Sequence, residues 1–145
     1  MNVETDHTIQ RWFGRRTGRK LTAARQHLMM KLLPRLRLDP NSDLGEAAIL
    51  FPELVDDLWM EIGFGAGEHL AGLAATMPDC DFIGAEPYVN GVASLLRYID
   101  KQQLGNIRIW PDDVRLILPI IDTASLAGAF IMFPDPWPKQ RHAPR

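Results

Sequence analysis

The chain has 145 residues, 46% of them hydrophobic and 23% charged, which is ordinary for one soluble globular domain. No apolar run approaches the roughly 18 residues of a membrane span, and the polar start with Glu4 and Asp6 is no secretory signal, so a cytoplasmic protein is expected. A single cysteine, Cys80, excludes an intrachain disulfide, and four scattered histidines offer no ligand spacing, so no metal is expected.

The net charge of −2 conceals an uneven distribution. Residues 1–38 carry nine Lys/Arg against two acids, residues 39–138 four against sixteen, and the last seven residues add three basic groups. Basic ends on an acidic body suit an enzyme that draws in a polyanion. Residues 1–20, with R-W-F-G-R-R-T-G-R-K at 11–20, show no helical or strand period and are expected to form a flexible basic arm. Residues 21–52 then form an N-terminal helix and connector. Thr22 can cap a helix running to about Leu33, with Leu21, Ala24, Leu28, Met29, Leu32 and Leu33 on one face. Pro34 ends or kinks it.

Within residues 53–145 apolar runs and helical periods alternate. Strands are expected at Leu58–Ile62, Phe82–Ala85, Ile107–Trp110 and Gly128–Phe133. Helices are expected at Glu68–Met77 and from Val89 to near Gly105, with a short helix or turn over Val114–Ile121. Alternating β and α elements imply right-handed crossovers and a parallel sheet. The fold class is therefore α/β, an open doubly wound sheet, which binds ligands at the carboxyl ends of its strands.

The first such end reads Glu61-Ile62-Gly63-Phe64-Gly65-Ala66-Gly67-Glu68. A dinucleotide loop needs G-x-G-x-x-G and a pyrophosphate near the helix start; here Glu68 stands in the third glycine's place, and both it and Glu61 would repel phosphate. S-adenosylmethionine carries a sulfonium and an ammonium and no phosphate, so the acids favour it. Glu86 ends the second strand, 23 residues after Gly63, and suits both hydroxyls of a ribose. Asp112 and Asp113 follow the third strand, where a carboxylate can meet the adenine amine or cap the next turn. After the fourth strand comes Phe133-Pro134-Asp135-Pro136-Trp137-Pro138-Lys139, a loop stiffened by three prolines. It directs Asp135 and Trp137 at the cofactor site. The acid can accept from a base edge and the aromatic can stack on a base, while Lys139 and Arg141 can hold phosphate.

These residues resemble the bacterial tRNA (guanine-N7-)-methyltransferase family, from about Arg11 onward. E-I-G-F-G-A-G-E is similar to its first cofactor motif, G-A-E-P to its second, and F-P-D-P-W-P-K-Q-R-H is the most specific segment. The resemblance implies a class I methyltransferase fold and methylation of a variable-loop guanine in tRNA. It implies that Glu61 and Glu86 are cofactor acids, with Asp113 the third and Asp112 its alternative. Asp135 takes the place of the acid held to be catalytic, and Lys139 that of a substrate-contacting lysine. Arg141 and His142 begin the RNA-contacting run. The family continues R-H-x-K-R-R, whereas this chain reads Arg141-His142-Ala143-Pro144-Arg145. The sheet is accordingly expected to be incomplete at the C-terminus, with the fourth strand an exposed apolar edge. Monomer and homodimer are both left open.

Overall fold

A computed structural model of the chain describes residues 14–41, 57–122 and 124–132. Four strands form one parallel sheet: β1 (Asp57–Ile62), β2 (Cys80–Ala85), β3 (Ile107–Trp110) and β4 (Gly128–Ile131), in the order β3-β2-β1-β4. Met60 lies opposite Ile83 and Ala129, so β1 is flanked on both sides.

The helices begin and end for local reasons. Helix α1 (Ala23–Lys31) is capped by Thr22, whose hydroxyl accepts from the Arg25 amide at 3.4 Å. It stops at Leu32, and Pro34 sits in the first turn of a separate short helix, α2 (Leu33–Leu36). Proline is tolerated there because a first-turn amide has no intrahelical partner. Helix α3 (Glu68–Thr76) starts from Gly67 at φ +85°, and Pro78 follows its end. Helix α4 (Val89–Gln102) closes on Gln103 in the left-handed region, φ 53°, two residues before the expected glycine. The expected turn over 114–121 is two 3-10 segments, Val114–Leu116 and Leu118–Ile120, the second carrying Pro119.

Apolar residues alternate between the two faces of the sheet. One face packs Phe82, Ile107 and Ile109 beneath Leu70 of α3 and Leu95 and Leu96 of α4, with Leu33 and Leu36 of α2 alongside. The other packs Leu58, Met60 and Ile83 against Ile117 and Leu38. Arg37 bridges Ile109, and the Leu38 amide donates to the Ile109 carbonyl at 2.9 Å, which ties the N-terminal segment to β3. Asn106 fastens the lower end: its Nδ2 lies 3.1, 3.2 and 2.9 Å from the carbonyls of Ala74, Met77 and Cys80. No described helix is long and apolar enough to cross a membrane.

The expected fourth strand, Gly128–Phe133, is observed over Gly128–Ile131, and Phe133 lies outside the described residues. Its side chains alternate half-buried and exposed, with Ile131 54% and Met132 49% exposed.

Candidate functional site

Strand order reverses between β1 and β4, and the crevice opens there. A cavity of about 450 Å³ lies at the carboxyl ends of the strands, within the range of small-molecule sites. Ile62, Gly63, Phe64 and Gly65 come from the loop after β1 and Glu86 and Pro87 from that after β2. Asp112 and Val114 come from the loop after β3, and Met132 follows β4.

The loop after β1 turns through three glycines at φ 73°, 58° and 85° (Gly63, Gly65, Gly67). Side-chained residues avoid that region. The loop is held from below. A Cβ on Gly91 of α4 would come within 2.2 Å of the Gly65 carbonyl oxygen, so only glycine lets helix and loop meet. A Cβ on Gly67 would fall 2.7 Å from the Leu95 Cβ, so this third glycine serves helix packing, away from the cavity wall.

Glu86, 9% exposed, joins two loops. Its Oε2 accepts from the Gly65 amide at 2.9 Å and its Oε1 from the Tyr88 amide at 3.0 Å. Each carboxylate oxygen keeps a further acceptor site for a hydroxyl.

The adjacent acids after β3 divide their work. Asp113 is buried; its carboxylate caps the first 3-10 turn, accepting from the Arg115 amide at 2.9 Å, and pairs with the Arg115 guanidinium. That side-chain hydrogen bond holds the Asp113 carboxyl below the usual carboxylate range, against the opposing effect of burial. Asp112 lines the cavity, and its Oδ1 accepts from the Asp113 amide at 2.8 Å.

Residues 14–20, expected to belong to a flexible arm, are anchored beside this wall. The Arg16 carbonyl accepts from the Val89 amide at 2.8 Å, at the start of α4. Asn90 accepts from the Gly18 amide and donates to the Arg19 carbonyl, both at 2.7 Å. The Arg16 guanidinium lies 3.1 Å from the Asp112 carboxylate. An unpaired helix start offers amides and Asn90 offers both donor and acceptor, so the arm has somewhere to bind.

Glu61 is 1% exposed and does not line the cavity. Its Oε2 lies 2.8 Å from Nδ1 of His69. Asp135, Trp137, Lys139, Arg141 and His142 all fall outside the described residues. Phe64, Pro87, Val114 and Met132 in the wall, and Asn90, Gly91 and His69 behind it, escaped the sequence reading. Only the glycine at 91 and the polar Asn90 within an apolar helix pattern signalled anything. Among the described residues no three His, Cys, Asp or Glu side chains gather as a metal site.

The cavity wall bears the Glu86 carboxylate and the Asp112 carboxylate, the latter balanced by Arg16, and so offers hydrogen-bond acceptors for hydroxyls and amines.

Comparison with known proteins identifies the family. The family described as "Putative methyltransferase" matches residues 56–145. A tRNA (guanine-N(7)-)-methyltransferase of Paramagnetospirillum magneticum is 50% identical over 139 residues, covering 93% of this chain and 58% of its own length. The tRNA (guanine-N(7)-)-methyltransferase of Rhodospirillum rubrum is 49% identical over 140 residues, covering 93% of this chain and 54% of its own. The chain thus spans about half the length of the curated relatives it matches. A solved Haemonchus contortus phosphoethanolamine N-methyltransferase 2 aligns at TM-score 0.45 and 19% identity over 58% of this chain and 19% of that one, too distant to inform the site.

Proposed function

We propose, from the premise that this chain belongs to the methyltransferase family matched over residues 56–145, that it binds S-adenosylmethionine at the strand ends and serves methyl transfer to N7 of a tRNA guanine. The carrying observation is the hydrogen bond from the Gly65 amide to Glu86. In a dinucleotide site that amide faces the pyrophosphate. Here it is committed to a carboxylate, which leaves a nucleoside without phosphate as the fitting ligand. The tRNA specificity is taken from the two relatives, whose names state it.

When bound, S-adenosylmethionine supplies an electrophilic methyl group on a sulfonium. The chain's residues bind and orient. Glu86 accepts the ribose hydroxyls through the lone pairs its backbone donors leave free. Asp112, on the cavity wall, receives the adenine amine in preference to Asp113, whose carboxylate caps the 3-10 turn away from that wall. Gly63 and Gly65 admit the donor close to the backbone, and Gly67 seats α3 on α4. N7 of guanine has a lone pair and no proton, so the site needs alignment rather than a base; such positioning supplies roughly 7–11 kcal/mol. Asp135 orients the guanine, Trp137 stacks on a base, and Lys139, Arg141 and His142 hold phosphate. Arg15 and Arg19, exposed on the anchored arm, add salt-dependent RNA affinity.

Calorimetric titration with S-adenosylhomocysteine and with NAD tests the cavity. The first is expected to bind and Glu86→Gln to weaken it at least tenfold; tighter binding of NAD would overturn the assignment. Transfer of a labelled methyl group to tRNA, abolished by Asp135→Asn, separates an enzyme from a fragment that only binds donor or RNA.

A further inference from the structure

We infer that residues 19–37 form an RNA contact face, which follows the phosphate backbone from the rim of the donor cavity to the opposite end of α4. The inference deepens the RNA reading above and rests on it. Residues 19–37 carry six Lys/Arg and no acid, in a chain whose body is acidic. No described carboxylate pairs with Arg19, Lys20, Arg25, Lys31 or Arg35. An ordinary solvated helix face intersperses both signs, because like charges repel. A surface of one sign raises the local concentration of anions and steers them in.

The fold lays this run along the whole of α4. At the near end the Arg16 carbonyl takes the Val89 amide and Asn90 holds Gly18 and Arg19, all at the start of α4. Arg16 also lies 3.1 Å from Asp112, so this end sits at the cavity rim. In the middle, Leu28, Met29 and Leu32 pack on the core that holds Leu95, Leu96 and Ile99. At the far end Arg35 and Leu36 share a cavity of about 390 Å³ with Ile99, Asp100 and Leu104, where α4 closes. Asp100 is the one described acid in that wall, against Arg35 and Arg108. Helix α4 has 14 residues, so the run spans roughly 20 Å. Its apolar side is seated and both ends are tied, which leaves Arg19, Lys20, Lys31 and Arg35 exposed on a fixed frame. Phosphates meeting those groups displace counterions, which supplies affinity without reading base sequence.

The test measures binding of an unmodified tRNA transcript to the full chain between about 50 and 200 mM salt. Lys31→Gln combined with Arg35→Gln removes two charges at the far end, distant from the cavity. This variant is expected to lose about fivefold or more in RNA affinity at the lower salt. Its slope of log affinity against log salt should flatten by roughly 1.5, two contacts at about 0.7–0.9 each. Affinity for S-adenosylhomocysteine should stay within about twofold of wild type. Lys31→Arg with Arg35→Lys, which keeps both charges, should restore RNA binding and slope. Ala75→Glu with Thr76→Glu, on the exposed end of α3, makes the same change of net charge and should leave the slope as in wild type. A wild-type slope in the Lys31→Gln/Arg35→Gln chain would overturn the inference. An equal flattening in the α3 variant would overturn it too, since net charge alone would then be the cause. A wild-type chain that binds no tRNA removes both this face and the RNA reading. One that binds tRNA through this face yet transfers no methyl group leaves the face standing and removes only the methyl-transfer reading.

Discussion

Strands β2 and β4 flank β1 in the same direction, and both are written almost wholly in apolar residues, yet the fold treats them differently. All of β2 beyond its first residue is buried, beneath α3 and α4 on one face and Ile117 on the other. β4 pairs through four residues, hides Phe130 against Trp59 and His69, and leaves Ala129 and Ile131 exposed. An apolar run reports that a segment belongs in a sheet; what covers it is decided by elements elsewhere in the chain. The packed side should tolerate change poorly and the edge should absorb it.

The sharpest way to break that contrast is to add one methyl group to each side. Gly91→Ala drives a Cβ into the backbone oxygen of Gly65, which cannot step aside. Urea unfolding should show a loss of about 3 kcal/mol, the upper end of overpacking costs. Gly128→Ala meets the Trp59 ring at 2.3 Å, but on an edge strand that can shift, and should cost about 1 kcal/mol. Equal losses would contradict the distinction. Next comes Asn106→Ala, which strips hydrogen bonds from the carbonyls where α3 hands over to β2. A loss of about 2 kcal/mol is expected by thermal or urea unfolding; a value near zero would mean that water replaces the amide.

Asp81, buried on β2, sharpens the comparison in the other direction. Burial pushes its carboxyl up to about 6, against the attraction of Arg108. Because the folded value lies above the ordinary one, Asp81 favours folding most below about pH 4 and loses that contribution as pH rises towards 6. Asp81→Asn should therefore stabilise the protein at pH 7.5 by about 1 kcal/mol and flatten the dependence of melting temperature between pH 4 and 6. A lower melting temperature at pH 7.5 would show that the Arg108 attraction outweighs the burial cost. The smallest effect belongs to Ile131→Ser on the edge. Stability should move by less than about 0.5 kcal/mol, while light scattering should report less self-association, since an apolar strand at the edge of the described sheet invites pairing.

The order of elements was legible because period and punctuation are local. So were the glycine loop and Glu86, which lie where a strand gives way to a turn. Local signals could not tell which of Asp112 and Asp113 lines the cavity, because Asp113 is turned back to cap the following 3-10 turn. Nor could they place Glu61 against His69, eight positions on, or Arg16 against Asp112, nearly a hundred residues away. Gly91 reads as a flaw in a helix until the Gly65 carbonyl is found pressed upon it. The end of α4 at Gln103 shows a side-chained residue accepting a left-handed turn that the sequence offered to Gly105.

Glu86 is tied by two backbone amides before any ligand arrives. Ordering a long, rotamer-rich side chain on binding ordinarily costs about 0.5–1.5 kcal/mol. Here that entropy is surrendered during folding, so the carboxylate is preorganised for the ribose hydroxyls proposed to bind it. A ligand should meet a rigid receptor at this corner, and selectivity there should come from shape already set rather than from closure around the guest.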